Sequence, residues 1–391
     1  MFTPDEVIDL RTRARSAVQR CIAPFAREIG SREESRDSFP WQAFRGLGDE
    51  GLLAVPYDSE FGAGLQHPML ATAAVTEEIA YQSSSMGGIY DAHCILVPAT
   101  LGFASEAIRA QLIPSLVSGK TTMAFATSEP EASSDLTPSR LQTALTETDG
   151  GYLVSGRKRW ITNSVVAPYG AILCRDGDAS TMLLVALTGN NGVTVGEPDL
   201  KMGHRGQLTA DIVFENAFVP TDNILGERGK GLAVALAALT RGRIGVAAVG
   251  VGVAQAALDL AVHRLRHRST FGAPLGSRQH WQMVMAQHAT ELECARSLYM
   301  KAAIRLDRGQ GGEPEGPMAK VLATRLAVNL TRDAIQVHGG YGFAREIAAT
   351  GETFRLEELY RDAKILEIFE GANELQQWII ARKLIGRDIT N

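Results

Sequence analysis

Glu370 lies next to last in the stretch KILEIFEG, with Ile365, Leu366, Ile368 and Phe369 before it and Gly371 after it. A carboxylate among apolar neighbours is costly unless it is paired, solvated or put to use. It could close one helix and face water, with Asn373 capping the next. Other stretches carry chemistry of different kinds. FATSEPEASSD supplies Ser128, Ser133 and Ser134, with Glu129, Pro130 and Asp135. Its hydroxyls and free backbone N–H groups suit either a surface turn or the orientation of a polar heterocycle. RKRWITN puts Trp160 and Thr162 at the end of a strand. The indole either packs on a core or flanks a planar ring, with a hydroxyl beside it.

Basic residues bracket one long apolar segment. Arg241 and Arg243 precede it in RGRIG, and Arg264, Arg266 and Arg268 follow it in HRLRHRSTFG, which ends on Phe271 and Gly272. Arginine forks bind phosphates bidentately, although a solvated basic face has the same composition. AIQVHGGYGF places Gln336 and His338 before Gly339 and Gly340. His338 has no metal-ligand partner at useful spacing and no Ser or Cys motif to serve. The paired glycines let a backbone approach a ligand closely, or end a helix.

These residues need a scaffold, and the whole chain sets its type. The 391 residues are 45% hydrophobic and 21% charged, which fits a soluble globular protein of two or three domains. A formal net charge of -5 gives no global reason to bind nucleic acid. Cys21, Cys94, Cys174 and Cys294 lie far apart without a C-x-x-C pair, which argues against a zinc site and for a reducing compartment. The first twenty residues are amphipathic and lack the apolar core of a secretory signal. RIGVAAVGVGVAQAALDLAV is apolar enough to raise the question of a membrane span. Gln255 and Asp259 interrupt it, and its small residues predict a helix buried in a soluble bundle instead.

Residues 1–121 show helical spacing, as in PDEVIDLRTRARSAVQRCIAPFAREI, MLATAAVTEEIAYQ and SEAIRAQLIPSLVSG, with VPYDSEFGAGLQHP as a loop. Residues 122–230 change character. GYLVSGRKRWITN, TMLLVAL, NGVTVGEP and TADIVFENAFVP predict an antiparallel, barrel-like β domain. Residues 231–391 return to helices, at roughly 232–268, 278–308, 316–338 and 354–385. The fold expected is therefore α+β: an N-terminal helical domain, a central antiparallel β domain and a C-terminal four-helix bundle.

Seven stretches, in order, resemble the signatures of the acyl-CoA dehydrogenase family of flavoenzymes: AFATSEPEASSD, RKRWITN, KMGHRGQLTADIVFENAFVP, RGRIGVAAVGVGVAQAALD, RSTFGAPL, QVHGGYGF and YRDAKILEIFEGANE. The resemblance covers nearly the whole chain. It implies FAD as cofactor, with Phe125, Thr127 and Ser128 along the isoalloxazine and Trp160, Ile161 and Thr162 on its other side. It places Ser134 near the nucleotide end of the substrate and Arg243 at the CoA portion. Arg268, Phe271, Gln336, Gly339 and Gly340 match positions that hold the FAD adenylate and pyrophosphate across a subunit interface. Ala372 and Glu374 fall in the last cofactor-binding stretch, and Gly371 beside the substrate. Glu370 falls on the catalytic base. An apolar setting suits that role, because the α-proton of an acyl thioester is weakly acidic and the base must be tuned upwards.

The implied reaction is α,β-dehydrogenation of an acyl-CoA to the trans-2-enoyl-CoA, with the β-hydride passing to flavin N5. Electron-transfer flavoprotein is the implied acceptor, a homodimer or homotetramer the implied assembly, and the cytoplasm the default location (the mitochondrial matrix if a transit peptide was removed). Three positions depart from the family pattern: Ser133 where glycine is usual, Ala372 where threonine is usual, and Thr240 where an acidic residue is common. They leave open an unusual acyl group or an acyl-carrier-protein thioester. The retained Glu370 argues against a monooxygenase or oxidase on this fold, and the intact signatures against a scaffold without flavin. SSMGGIYDAHCILVPATLG, with Gly87, Gly88, Asp91 and His93, is expected to line the acyl pocket.

Overall fold

The computed structural model describes residues 3–132 and 134–390. The N-terminal part is helical: α1 (Asp5–Cys21), α2 (Ala26–Ser31), α3 (Trp41–Asp49), α4 (Pro68–Gln82), α5 (Ser84–Asp91), α6 (Val97–Leu101) and α7 (Glu106–Val117). In α1 the buried residues Val7, Leu10, Ala14, Ala17 and Val18 recur every three or four positions, so one stripe faces the core. Between α5 and α6 the chain does not break. Residues Ala92–Leu96 form a single π-helical turn, which widens the helix directly after Asp91.

The central sheet has seven strands: β1 (Met123–Ala126), β2 (Ala144–Thr148), β3 (Gly151–Thr162), β4 (Tyr169–Asp176), β5 (Ala179–Ala186), β6 (Val193–Val195) and β7 (Thr209–Pro220). Their order is β1-β4-β2-β3-β7-β6, with β5 on β4. The expectation of an antiparallel domain needs correction at one end. β2–β3, β4–β5, β3–β7 and β6–β7 are antiparallel, but β1 runs parallel to β4, and β2 meets β4 in parallel at Ala144 and Arg175. β1 and β4 are not joined by a hairpin, so no tight turn dictates their direction.

The C-terminal part contains α8 (Gly231–His267), the small hairpin β8–β9 (Ser269–Thr270, Ala273–Pro274), α9 (Gln279–Asp307), α10 (Glu315–His338) and α11 (Gly340–Phe343). A second hairpin, β10–β11 (Glu346–Ile347, Glu352–Thr353), leads to α12 (Leu356–Leu366) and α13 (Asn373–Ile385). The 37-residue α8 is apolar enough in length and composition to cross a membrane, yet 83% of its most apolar window is buried among the other helices. Its small residues permit that packing. Gly252 faces the Glu77 carbonyl of α4, and Gly250 faces Ala323 of α10. The helix expected at 354–385 is two helices. The break between α12 and α13 spans 367–372 and contains Glu370, so a periodicity that continues in sequence is interrupted where the site lies.

Candidate active site

Glu370 sits in that break on left-handed backbone, with φ of 54°, and Gly371 follows at φ 89°. A non-glycine residue pays roughly 1–2 kcal/mol for this conformation, so the surroundings must impose it. Two side chains do so. Lys320 of α10 and Gln376 of α13 both donate to the Gly371 carbonyl, each at 2.9 Å. Asn373 anchors the next residues by donating to Thr324 Oγ1 at 3.0 Å. The sequence expectation that Asn373 caps the following helix is replaced by this: the cap position is Ala372, which offers no side-chain bond, and Asn373 is the first helical residue.

The Glu370 carboxyl points at α8. A Cβ on Gly242 would lie 1.8 Å from Glu370 Oε2 and 2.8 Å from Leu96 Cδ2, so only glycine leaves room there. Oε2 is buried and has no hydrogen-bond partner among the described residues. Burial raises the Glu370 pKa above the usual carboxylate value, with the neighbouring Asp91 carboxyl and the charges of Lys320 and Arg243 opposing the shift. Burial likewise pushes Lys320 down to about 8, with Glu370 opposing the shift. Arg243 is buried and pairs with Glu313 at 3.0 Å. Substituting Gly242→Ala is expected to leave the fold intact, since a glutamate side chain can swing aside. If Glu370 acts as a base, turnover should nevertheless fall about 100-fold, because an ångström of displacement spoils the alignment of a reacting group. Single-turnover kinetics on the folded variant measures this.

A second group assembles where β1 and β3 end. Lys158 Nζ reaches Glu129 Oε1 at 2.7 Å and the Thr127 carbonyl at 3.3 Å, and Arg159 N donates to Ser128 O at 3.0 Å. These bonds bring Phe125, Thr127 and Ser128 beside Trp160, Ile161 and Thr162. The register of β3 on β7 slips between Lys158 and Ile161, a bulge that re-aims the chain. Trp160, in the bulge, has φ of 56° and an indole 60% exposed, whereas Ile161 is in the core. Phe125 packs on Ala92 and Leu96, and Leu96 abuts Gly242. One layer of side chains therefore separates the strand-end group from Glu370.

The remaining residues singled out in the sequence lie elsewhere and are exposed: Ser134, Arg268, Phe271, Gln336, Gly339, Gly340 and Glu374. Phe271, at the tip of β8–β9, is 98% exposed with φ of 50°. Arg264 at the end of α8 lies over the Tyr341 ring at 5.0 Å, which joins the basic stretch to the glycine-rich end of α10. His338 donates to its own helix at Ala334 O, and Gly339, at φ 62°, ends α10. Thr240 donates to Leu236 O of its own helix, and Ser133 lies outside the described residues.

Within the segment expected to line a pocket, the structure separates four roles. Gly87 packs against Ala80 of α4, and Gly88 against Gln207 and His204 in the loop before β7. His93 is buried between Thr122 Oγ1 and the Leu116 carbonyl, and burial lowers its pKa to about 4. Asp91 alone faces Glu370. Sequence reasoning passed over Lys320, Lys158 and Gly242. Lys320 carried a signal: with Ala323, Thr324, Ala327 and Thr331 it falls on the buried stripe of α10, where an unpaired lysine is anomalous.

Three family descriptions match the chain in order: "Acyl-CoA dehydrogenase, N-terminal domain" over residues 4–120, the middle domain over 124–217 and the C-terminal domain over 229–385. The chain belongs to the acyl-CoA dehydrogenase family. It is 34% identical to an acyl-CoA dehydrogenase of Bacillus subtilis over 391 residues, covering 99% of this chain and all of the relative. It is 32% identical to a 3-(aryl)acrylate reductase of Clostridium sporogenes, covering 98% of this chain and all of that one. The solved butyryl-CoA dehydrogenase of Megasphaera elsdenii superposes with a TM-score of 0.91 at 29% identity, covering 98% of this chain and 99% of that one. The family consists of FAD-containing oxidoreductases acting on CH–CH bonds, and the helical–β–helical order seen here is its fold.

Proposed function

We propose that this protein dehydrogenates an acyl-CoA thioester between its α and β carbons, with Glu370 as the base that removes the α-proton. The observation that carries this is the Glu370 carboxyl itself: half-buried, with Oε2 out of solvent and unpartnered, raised in pKa, and held by a strained turn that Lys320 and Gln376 clamp. A weak carbon acid needs such a base, placed and dry before the substrate arrives.

The residues present fit FAD. An indole pushed outward by a bulge and hydroxyls on the adjoining strand end offer a flat partner and hydrogen bonds to a planar polar ring. Phe125, Thr127, Ser128, Trp160, Ile161 and Thr162 would hold that ring. Arg268, Phe271, Gln336, Gly339, Gly340, Ala372 and Glu374 would serve the remainder, from a neighbouring copy where the exposed ones lie far from this strand end. When bound, FAD supplies the acceptor for the β-hydride. Phe271, 98% exposed on left-handed backbone with the Arg278 guanidinium 5.9 Å from its ring, presents an apolar face that supports such an assembly, a homodimer or homotetramer. Arg243, Ser134 and Gly371 are the substrate-side residues, and the electron acceptor is an electron-transfer flavoprotein.

The test is to follow the yellow flavin band of the purified enzyme against acyl-CoAs of graded length and branching. Bleaching by at least one acyl-CoA, with the enoyl-CoA as product, is expected. If no acyl-CoA bleaches the band while an enoyl-CoA reoxidises pre-reduced enzyme, the protein is a reductase and the proposal fails.

A further inference from the structure

Asp91 is wholly buried, and neither of its carboxyl oxygens finds a donor among the described residues. It is the last α-helical residue before the π-helical turn of Ala92–Leu96, which carries the chain towards Phe125. Its side chain faces α8 one helical turn along from the Glu370 contact. A Cβ on Gly245 would fall 1.7 Å from Asp91 Oδ1, as one on Gly242 would fall 1.8 Å from Glu370 Oε2. Two glycines three residues apart on α8 thus make one notch, and two carboxyl groups fill it side by side. Across that notch each carboxyl acts electrostatically on the other.

A carboxylate only accepts, so a hydrogen bond between them needs a proton on one. Two buried carboxylates in contact cannot both ionise without severe repulsion. The surrounding charges decide which one keeps the proton. Lys320 from α10 and Arg243 from α8 both act on Glu370, with Glu313 behind Arg243 and Glu367 and Glu374 further out beside Lys320. Among the described residues no cation acts on Asp91; its titratable neighbours are Glu370 and the Cys94 thiol.

We infer that Asp91 is the protonated member of a carboxyl pair, a positioning residue that donates its hydrogen bond to the Glu370 carboxylate and so fixes the aim and basicity of that base. The inference rests on Glu370 being the base. In the resting pair one proton sits on Asp91 and the negative charge on Glu370. Removal of the substrate proton breaks the Cα–H bond, leaves its electron pair on the substrate and forms an O–H bond on Glu370. The pair then holds two protons and no charge, and one proton returns to solvent before the next turnover. Burial, then the Glu370 charge, hold Asp91 well above the ordinary carboxylate range, in keeping with this order.

Two variants separate positioning from packing. Asp91→Asn keeps a donor towards Glu370, and Asp91→Leu removes it at similar size. The acid limb of the pH profile for flavin reduction should move up by about one to two pH units in the leucine variant, the equivalent of a hydrogen bond to a charged group. It should stay in place in the asparagine variant. Equal movement in both, or none in Asp91→Leu, overturns the inference. A second readout needs no substrate: the infrared spectrum of the resting holoenzyme at neutral pH minus that of Asp91→Asn should show the C=O stretch of one protonated carboxyl, apart from any band of the buried Glu358, which both forms share. Absence of that band from the difference spectrum overturns the inference as well. If no acyl-CoA reduces the wild type, the proposed function fails while the infrared result still reports on the pair.

Discussion

Glu370→Gln is expected to retain its flavin yet be reduced by acyl-CoA at least about 10³-fold more slowly than the wild type, within the range that a placed general base contributes. Glutamine fills the same volume against Gly242, and the clamp on Gly371 uses the backbone carbonyl, so the turn should survive. Only the proton acceptor is lost. Stopped-flow reduction checks it, and unchanged rates would refute Glu370 as base. The pH dependence has a definite sign. Because burial raises the Glu370 pKa, the wild-type rate should climb with pH through a limb above the usual carboxylate range. Stability runs the other way. Glu370 and Asp91 have folded pKa values raised above their unfolded ones, so what they contribute to stability is complete in acid and is lost as pH rises through the folded values. Glu370→Gln should therefore be at least as stable as wild type above neutrality.

Lys158→Met should have the largest effect on the fold. The Lys158 and Glu129 side chains are both fully buried. Removing the cation strands a buried carboxylate, at a cost of about 3–5 kcal/mol, a large share of what a domain has to lose. Methionine nearly matches lysine in length, so lost packing contributes little. The ends of β1 and β3 should separate, and the expected result is a lowered melting temperature together with flavin lost on gel filtration. Adding Glu129→Gln should recover part of the stability, since the buried side chain is then neutral and its one amide oxygen can still accept from either Gln142 N or Thr143 N, which in the wild type bond to different carboxylate oxygens. Full stability in Lys158→Met alone would show that the pair does not hold the strand ends. Glu129 also dictates a pH response. Burial would raise its pKa, but Lys158 and the hydrogen bonds outweigh this and hold it below its ordinary value. Its contribution is thus present above the unfolded value and disappears as pH falls through the folded one.

Much of this protein was legible in one dimension. Periods of three to four residues fixed the long helices, and β-branched runs between glycines, asparagines and prolines fixed the strands of the central sheet, because both patterns follow from local geometry. The order of seven short stretches was enough to indicate the family. The identity of Glu370 as the anomalous carboxylate was also visible, since an acid among Ile365, Leu366, Ile368 and Phe369 is conspicuous wherever it folds. What the sequence could not show was company. Asp91, Gly242, Gly245 and Lys320 come from three separate helices, α5, α8 and α10, and meet Glu370 only when these pack. The left-handed backbone at Trp160 and Glu370 likewise goes against local preference and exists because contacts with other elements impose it. Residue patterns report the face an element must bury. Which charges share a dry notch, and therefore which carboxyl keeps a proton, is decided by distances across elements far apart in the chain.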